Sequence, residues 1–599
     1  MSQFFKQIFA TTIGSMVGLL LFLSLGAGGL AFVLFAALST DQEPEIEPKS
    51  VLVFDLSTQV KDSKPSANLT QALSGNKQDT MTLRRVLQSI EKATKDDRIV
   101  GLFLDGSNDG ENSGYATIEE VRTALEKFRD TGKKIIAYDV TLSEQEYYLS
   151  SLADEVILNP MGMVELNGLN SKQVFFKGAL EKYGVGVQVI RVGDYKSAVE
   201  PYTRSDLSPA NREQTKALLT DLWDKFLTTV ATSRNLEAAS LQKLADEKGY
   251  LDPEEAKKIG LIDQVGYYDN VVSKLRQLTG KTDDEEQFRQ VSLDEYADLT
   301  IPAIEAEVSE NKIAVVYAEG TIVDGEGSLE TIGSDPLAEE FRKLREDDQV
   351  KAIVLRVDSP GGSATASDVI LREILLTKEQ KPIIVSMGDV AASGGYWIAA
   401  GADQIFAAEN TITGSIGVFG LLSNIQEIAN NNGVTWDIVK TGRLADIDSN
   451  FRPKTEAELA IYQKSVSKTY DLFLNKVSEY RHLPQKKVAE IAQGRIWSGK
   501  EAVNIGLVDR IGGLEKAIAY AAEKAKLGKN WQLEEYPQPN RLETEIVQRL
   551  LNTKALELGV KIDPITTEFL KISKDLTILK SFDAPNGVYA RLPFSFDLD

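Results

Sequence analysis

Cysteine is absent from all 599 residues, and histidine occurs once, at His482. No disulfide, thiolate nucleophile or Cys-ligated zinc site can exist in such a chain. One imidazole also excludes an H-E-x-x-H site and any metal site built from several histidines; no cofactor is expected. A Ser-His-Asp mechanism would have to run through His482. That residue lies in EYRHLPQKK, after a long helical stretch and near Pro484, and reads as a solvated loop residue. Nucleophilic chemistry would need another base, and Lys is the usual substitute. Positive charge is also short: 67 basic against 89 acidic residues leave a net charge of −22. A phosphate partner wants a basic surface, so nucleic acid is not an expected partner. The acidic balance reads as a soluble, self-repelling surface. The length calls for several domains.

Charge is missing altogether between Lys6 and Asp41, a stretch that includes MVGLLLFLSL and LAFVLFAAL. A spanning helix needs roughly 20 apolar residues, whereas the apolar part of a cleaved signal peptide runs about 7–15. The segment therefore reads as a retained N-terminal transmembrane anchor over residues 1–45, which Gly26, Gly28 and Gly29 could bend. Lys6 precedes it, while Asp41, Glu43, Glu45 and Glu47 follow. By the positive-inside rule the N-terminus is cytoplasmic and the bulk lies across the membrane.

The rest of the chain is written twice. DDRIVGLFLDGSNDG (Asp96–Gly110) matches DDQVKAIVLRVDSPG (Asp347–Gly361), and KKIIAYDV (Lys133–Val140) matches QKPIIVSMGDV (Gln380–Val390). SSLADEVILNP (Ser150–Pro160) matches AAGADQIFAAE (Ala399–Glu409), and DPEEAKKIGLIDQVG (Asp252–Gly266) matches SGKEAVNIGLVDRIG (Ser498–Gly512). Four blocks in the same order, each offset by about 250 residues, are a tandem duplication of a domain-sized unit. Within a unit, short β-branched runs (IVLRV, PIIVSM) predict buried strands, and TASDVILREILL predicts a helix. AASGGYWIAAGA reads as a tightly packed helix behind a glycine turn, and amphipathic helices are expected at Pro209–Arg234 and Thr455–Arg481. Alternating strands and helices predict an α/β fold. The expected organisation is an anchor at 1–45, a first domain at 46–300, a second at 301–540 and a tail at 541–599. Acidic Asp283–Asn311 reads as the inter-domain linker. The tail, with a possible helix at Leu542–Leu558, shows no chemistry.

Three glycine-rich elements follow predicted strands in the second half: DSPGGSATAS (Asp358–Ser367), MGDVAASGGYW (Met387–Trp397) and TITGSIGVFG (Thr411–Gly420). Gly361 and Gly362 would let a turn present N–H groups to a ligand. Ser393 stands where a helix would begin. Most serines there are simple N-caps, but a nucleophile would gain the helix dipole and the Gly394 N–H as oxyanion donor. Ala391 two residues earlier breaks the G-x-S-x-G pattern of the hydrolase elbow. Asp358 has no partner ligands and reads as a turn carboxylate.

SPGGS, AASGGYW and TGSIG, together with GDYKSAVEP (Gly193–Pro201), resemble the signal peptide peptidase A (protease IV) family in its long, duplicated form. The resemblance implies tandem Clp/crotonase-like ββα units and a Ser–Lys serine endopeptidase. Ser393 would be the nucleophile and Lys196 the general base. Ser415 would help hold the Lys amine, and Gly361 or Gly362 with Gly394 would form the oxyanion hole. It further implies peptide substrates (signal peptides left in the membrane after preprotein cleavage), a homotetramer, and a single-pass protein of the bacterial inner membrane with its catalytic body on the extracytoplasmic side.

The repeat constrains this assignment independently. Glu144 aligns with Ser393 and Lys196 with Ala445; the spacing from Glu144 to Lys196 is 52, and from Ser393 to Ala445 it is also 52. Each half thus keeps one member of the dyad and has lost the other, and the first half reads DGSNDG where the second reads DSPGG. One complete site per chain is expected where the halves meet. Lys196 must then be buried away from Asp194 and Glu200, because an exposed Lys titrates near ~10.4 and only desolvation makes it a base near neutrality. Two other readings use the same glycine turns or fold: a crotonase-type enzyme acting on acyl-CoA esters, and an inactive membrane scaffold. The serine at the helix start and the export-directed anchor disfavour the first. Retention of Ser393, Lys196 and both turns disfavours the second.

Overall fold

Runs such as IVGLFLDG and VKAIVLRVDS lack polar alternation because their strands are covered on both faces. Ile353, Leu355 and Val357 point into one core, and Ala352 and Val354 into another. The structure is a computed structural model; it describes residues 46–63, 80–108, 110, 113–281, 288–305, 309–328, 331–537 and 588–592. The apolar segment after Lys6 and the Leu542–Leu558 stretch lie outside the described residues. Among the described residues no helix is long and apolar enough to cross a membrane.

The duplication appears as two sheets of the same plan. In the first half, Gln290–Ser292, Ser50–Asp55, Ile99–Gly106, Lys134–Leu142 and Glu155–Leu166 lie side by side in parallel, and Gly249–Leu251 closes the edge in antiparallel register. In the second, Gln532–Tyr536, Lys312–Glu319, Val350–Ser359, Ile383–Ala392 and Ile412–Gly414 repeat that order, closed by antiparallel Ile496–Ser498. The predicted long helices form at Pro209–Arg234, capped by Ser208, and Glu456–Tyr480, capped by a Thr455–Glu458 box.

Asp283–Asn311 is not a simple linker. Its Gln290–Ser292 strand extends the first sheet, and Leu293–Glu305 is a helix. Leu293, Tyr296, Ala297 and Thr300 are buried at helical spacing, while Asp294, Glu295 and Asp298 face outward. Net acidity hid an ordinary amphipathic period. The Tyr296 hydroxyl donates to Asp96 at 3.0 Å, and Lys92 Nζ donates to the Thr300 carbonyl at 2.6 Å. The expected boundary at residue 300 therefore falls inside a helix docked on the first half.

The halves are joined by a third, mixed sheet. Gly186–Val192 of the first half pairs antiparallel with Val418–Asn424 of the second, and Ile190 is buried in the second half's core. From the first half's long helix, Leu218 and Leu222 pack on Ala392, Ile412 and Ile496 of the second. Charge is buried at the same seam. Arg356 Nε donates to Asp62 Oδ2 at 2.9 Å, and its Nη1 lies 2.8 Å from Glu120. Asp389 accepts the Ala116 and Thr117 N–H groups at 2.8 and 3.0 Å.

Candidate active site

The Ile383–Ala392 strand delivers the chain to Ser393, which takes φ 55°, ψ −112° before the Gly394–Ala399 helix. A residue with a side chain held at such positive φ costs of order 1–3 kcal/mol. Its N–H donates to the Gly414 carbonyl and its carbonyl accepts from Trp397, both at 2.8 Å. Gly395 is required behind it, since a methyl there would lie 2.6 Å from the Ser359 carbonyl. The serine thus sits on a strained strand-to-helix corner even though the G-x-S-x-G spacing is absent.

The parallel neighbour Val350–Ser359 ends at the glycine turn. Ser359 Oγ donates to the Gly320 carbonyl at 2.6 Å and accepts the Gly361 N–H at 3.2 Å. Gly361 has φ 90°, and a methyl on it would lie 2.5 Å from the Gly394 nitrogen. The two glycine elements therefore meet. Of the two glycines in the turn, Gly361 has its N–H committed to the Ser359 hydroxyl.

Lys196 arrives from the other half, past the turn at Gly193 and fixed by a 3.0 Å bond from the Tyr195 N–H to the Gln493 carbonyl. Its Nζ lies 2.7 Å from Ser393 Oγ and 3.0 Å from both the carbonyl oxygen and Oγ of Ser415. Gly417 and Gly494 make room: methyls there would stand 3.1 Å from Lys196 Cδ and 2.6 Å from its Cβ. Lys196, Ser393 and Ser415 are all fully buried. Desolvation pushes the Lys196 amine well below the usual lysine range. Asp194 is exposed, and Glu200 faces away, accepting from the Ser208 N–H and Asn211 Nδ2 at 3.1 and 3.0 Å.

All six residues singled out from the sequence thus converge. Glu144, the counterpart of Ser393, accepts the Asn167 and Gly168 N–H groups at 2.7 and 2.8 Å and braces the first half's chain. Asp358 is not a turn carboxylate. It lies within the Val350–Ser359 strand, accepts the Val390 N–H at 2.8 Å, and is pushed well above the usual carboxylate range by burial and by Asp389. His482 is exposed in the turn after the long helix, as expected. The element that sequence reasoning missed is in the tail: Tyr589–Arg591 pairs antiparallel with Gly361–Ser363 and touches Val418–Asn424 on its other side. Its only signal was the alternating apolar run VYARL.

The comparisons agree with the duplicated plan. Residues 127–282 and 376–528 each match Peptidase family S49. Protease 4 of Haemophilus influenzae is 37% identical over 519 residues, covering 84% of each chain. The chain belongs to peptidase family S49. Protease 4 of Salmonella typhi is 36% identical over 504 residues, 82% of this chain and 80% of that one. The chloroplastic serine protease SPPA of Arabidopsis thaliana is 34% identical over 455 residues, 75% and 67%. This S49 peptidase is therefore a peptide-bond hydrolase of mixed α/β fold built on a repeated domain.

Proposed function

We propose that this S49 peptidase is a membrane-anchored serine endopeptidase with Ser393 as nucleophile and Lys196 as general base, on two Clp/crotonase-like units. The observation that carries the reading is the buried 2.7 Å contact between Lys196 Nζ and Ser393 Oγ, with no carboxylate on the amine. A neutral amine has two N–H donors and one lone pair. Both donors are accounted for by Ser415, whose carbonyl and hydroxyl each lie 3.0 Å away, so the lone pair faces the Ser393 hydroxyl. Lys196 takes the Ser393 proton as Oγ attacks the scissile carbonyl. The Gly362 and Gly394 N–H groups hold the oxyanion, and Lys196 returns the proton to the leaving amine. Water then releases the acyl group. The name of the plant relative, a serine protease, supports the nucleophile class. By the family resemblance the substrates are signal peptides left in the membrane. The anchor at 1–45 would hold a homotetrameric body on the extracytoplasmic side of the bacterial inner membrane. Peptide cleavage in detergent by wild type, Ser393→Ala and Lys196→Ala tests the reading. Turnover should vanish in the first variant and fall by about 10³-fold or more in the second. Wild-type rates in Lys196→Ala would sink it.

A further inference from the structure

Two consecutive residues with positive φ stand just before the Ile496–Ser498 strand: Gln493 at 54° and Gly494 at 80°. Glycine takes that region freely, but a residue with a Cβ holds it only where the surroundings fix it. The other half makes no such demand. Asp252 aligns with Ser498, so Glu247 and Lys248 align with Gln493 and Gly494. Glu247 ends a regular helix and Lys248 has φ −124°, so positive φ there falls to a glycine alone, Gly249 at 72°. The strained glutamine belongs to the half that holds Ser393.

The backbone groups of this bend are committed to the site. The Gln493 carbonyl accepts the Tyr195 N–H at 3.0 Å, one residue before the lysine. The Gly494 N–H donates to the Ile416 carbonyl at 2.8 Å, and the Arg495 carbonyl accepts the Ser415 N–H at 2.7 Å. One turn of chain therefore grips both the Lys196 segment and the serine that bonds its amine. From behind, the Gln493 N–H donates to the Tyr470 hydroxyl at 3.2 Å. Tyr470 lies on the Glu456–Tyr480 helix and is 9% exposed, packed in the second half's core. On the outer side the Arg495 guanidinium lies over the Tyr195 and Trp497 rings, 5.0 and 4.6 Å from their centroids, and pairs with Glu213 at 3.2 Å. Burial alone lowers the Lys196 amine: Arg495 of the bend, Glu213 of the facing helix, and Asp194 and Glu200 of the lysine's own segment take no part.

We infer that the Gln493–Arg495 bend, held by the Tyr470 hydroxyl, is the seat that positions Lys196 and Ser415 as one unit, with Tyr470 and Gln493 as positioning residues for the reaction. The inference rests on the Ser393–Lys196 reading above. The bend holds the base and not the oxyanion glycines, so its loss acts on kcat and leaves KM in place.

Peptide cleavage measured against pH, with Lys196→Ala as reference and thermal melts in parallel, tests this. Tyr470→Phe keeps the ring and removes the acceptor, so kcat should fall about tenfold with KM unchanged. Gln493→Val puts a β-branched residue at positive φ and should lower kcat by about 10²-fold. In both variants water reaches the amine and raises its pKa, so the acid limb of kcat against pH should move to higher pH. Gln493→Gly takes the bend without strain and should rescue the rate that valine loses. Wild-type kcat and acid limb in Tyr470→Phe and Gln493→Val, beside an inactive Lys196→Ala, would overturn the role of the bend alone. So would a loss in Gln493→Gly equal to that in Gln493→Val, or a fall in kcat that follows a lower melting temperature with the acid limb unmoved. Wild-type turnover in Lys196→Ala would overturn the dyad reading with it.

Discussion

In the proposed dyad Lys196 can serve as a base only because it is dry, and dryness has a thermodynamic signature. Its folded pKa is lowered by burial, so between that value and the unfolded value near ~10.4 the unfolded chain binds more protons. The lysine therefore costs stability at neutral pH, and the cost fades as pH rises towards ~10.4. Lys196→Met should melt higher than wild type at pH 7, with the gap closing on the alkaline side; a gap independent of pH in thermal melts would contradict this. Room for the amine comes from glycines. In Gly494→Ala the added methyl would meet Lys196 Cβ at 2.6 Å, on a backbone of φ 80°. The base should move by a fraction of an ångström, and kcat should fall by about 10²-fold with KM little changed. From the glycine elements alone Ser393 reads as a helix N-cap or a nucleophile, and the family pattern favours the second. Lys196 could not be placed without that pattern, since nothing local distinguishes it among 67 basic residues.

At the scale of elements, the strand that leads to the lysine, Gly186–Val192, belongs to the first half by sequence and to the second by packing. Ile190 on Gly186–Val192 is 4% exposed within the second half's core. Ile190→Ala should cost about 2–5 kcal/mol in urea unfolding and lower kcat, because it loosens the strand that leads into Lys196. Unchanged kcat in a destabilised variant would show that the strand does not position the base. Strands and long helices were legible because period and capping act locally: Ser208 and Thr455 start their helices where expected. The Leu293–Glu305 helix was obscured by its acidic outer face, and the Tyr589–Arg591 strand by being short and stabilised only by distant partners. That the Gly361 N–H is committed depended on the Ser359 hydroxyl, a contact no spacing rule contains.

At the scale of the molecule, the halves meet over buried charge as well as the mixed sheet. Glu120, beside Arg356 and Asp62, is pushed up to about 7 by burial. Its folded pKa exceeds the unfolded value near ~4.3, so its contribution to stability is full below that value and is lost as pH rises through 7. Glu120→Gln should flatten that fall in denaturant midpoints between pH 5 and 8; an unaltered slope would place the titration elsewhere. Under the proposed dyad each half supplies one member, so the site exists only where the halves meet. The central claim is that Lys196 of the first half activates Ser393 of the second. Covalent labelling by a fluorophosphonate, mapped by peptide mass, tests it most directly. The label should fall on Ser393 in wild type and slow by about 10³-fold or more in Lys196→Ala. Labelling of Ser393 at the wild-type rate in Lys196→Ala, or labelling of a different serine, would contradict it.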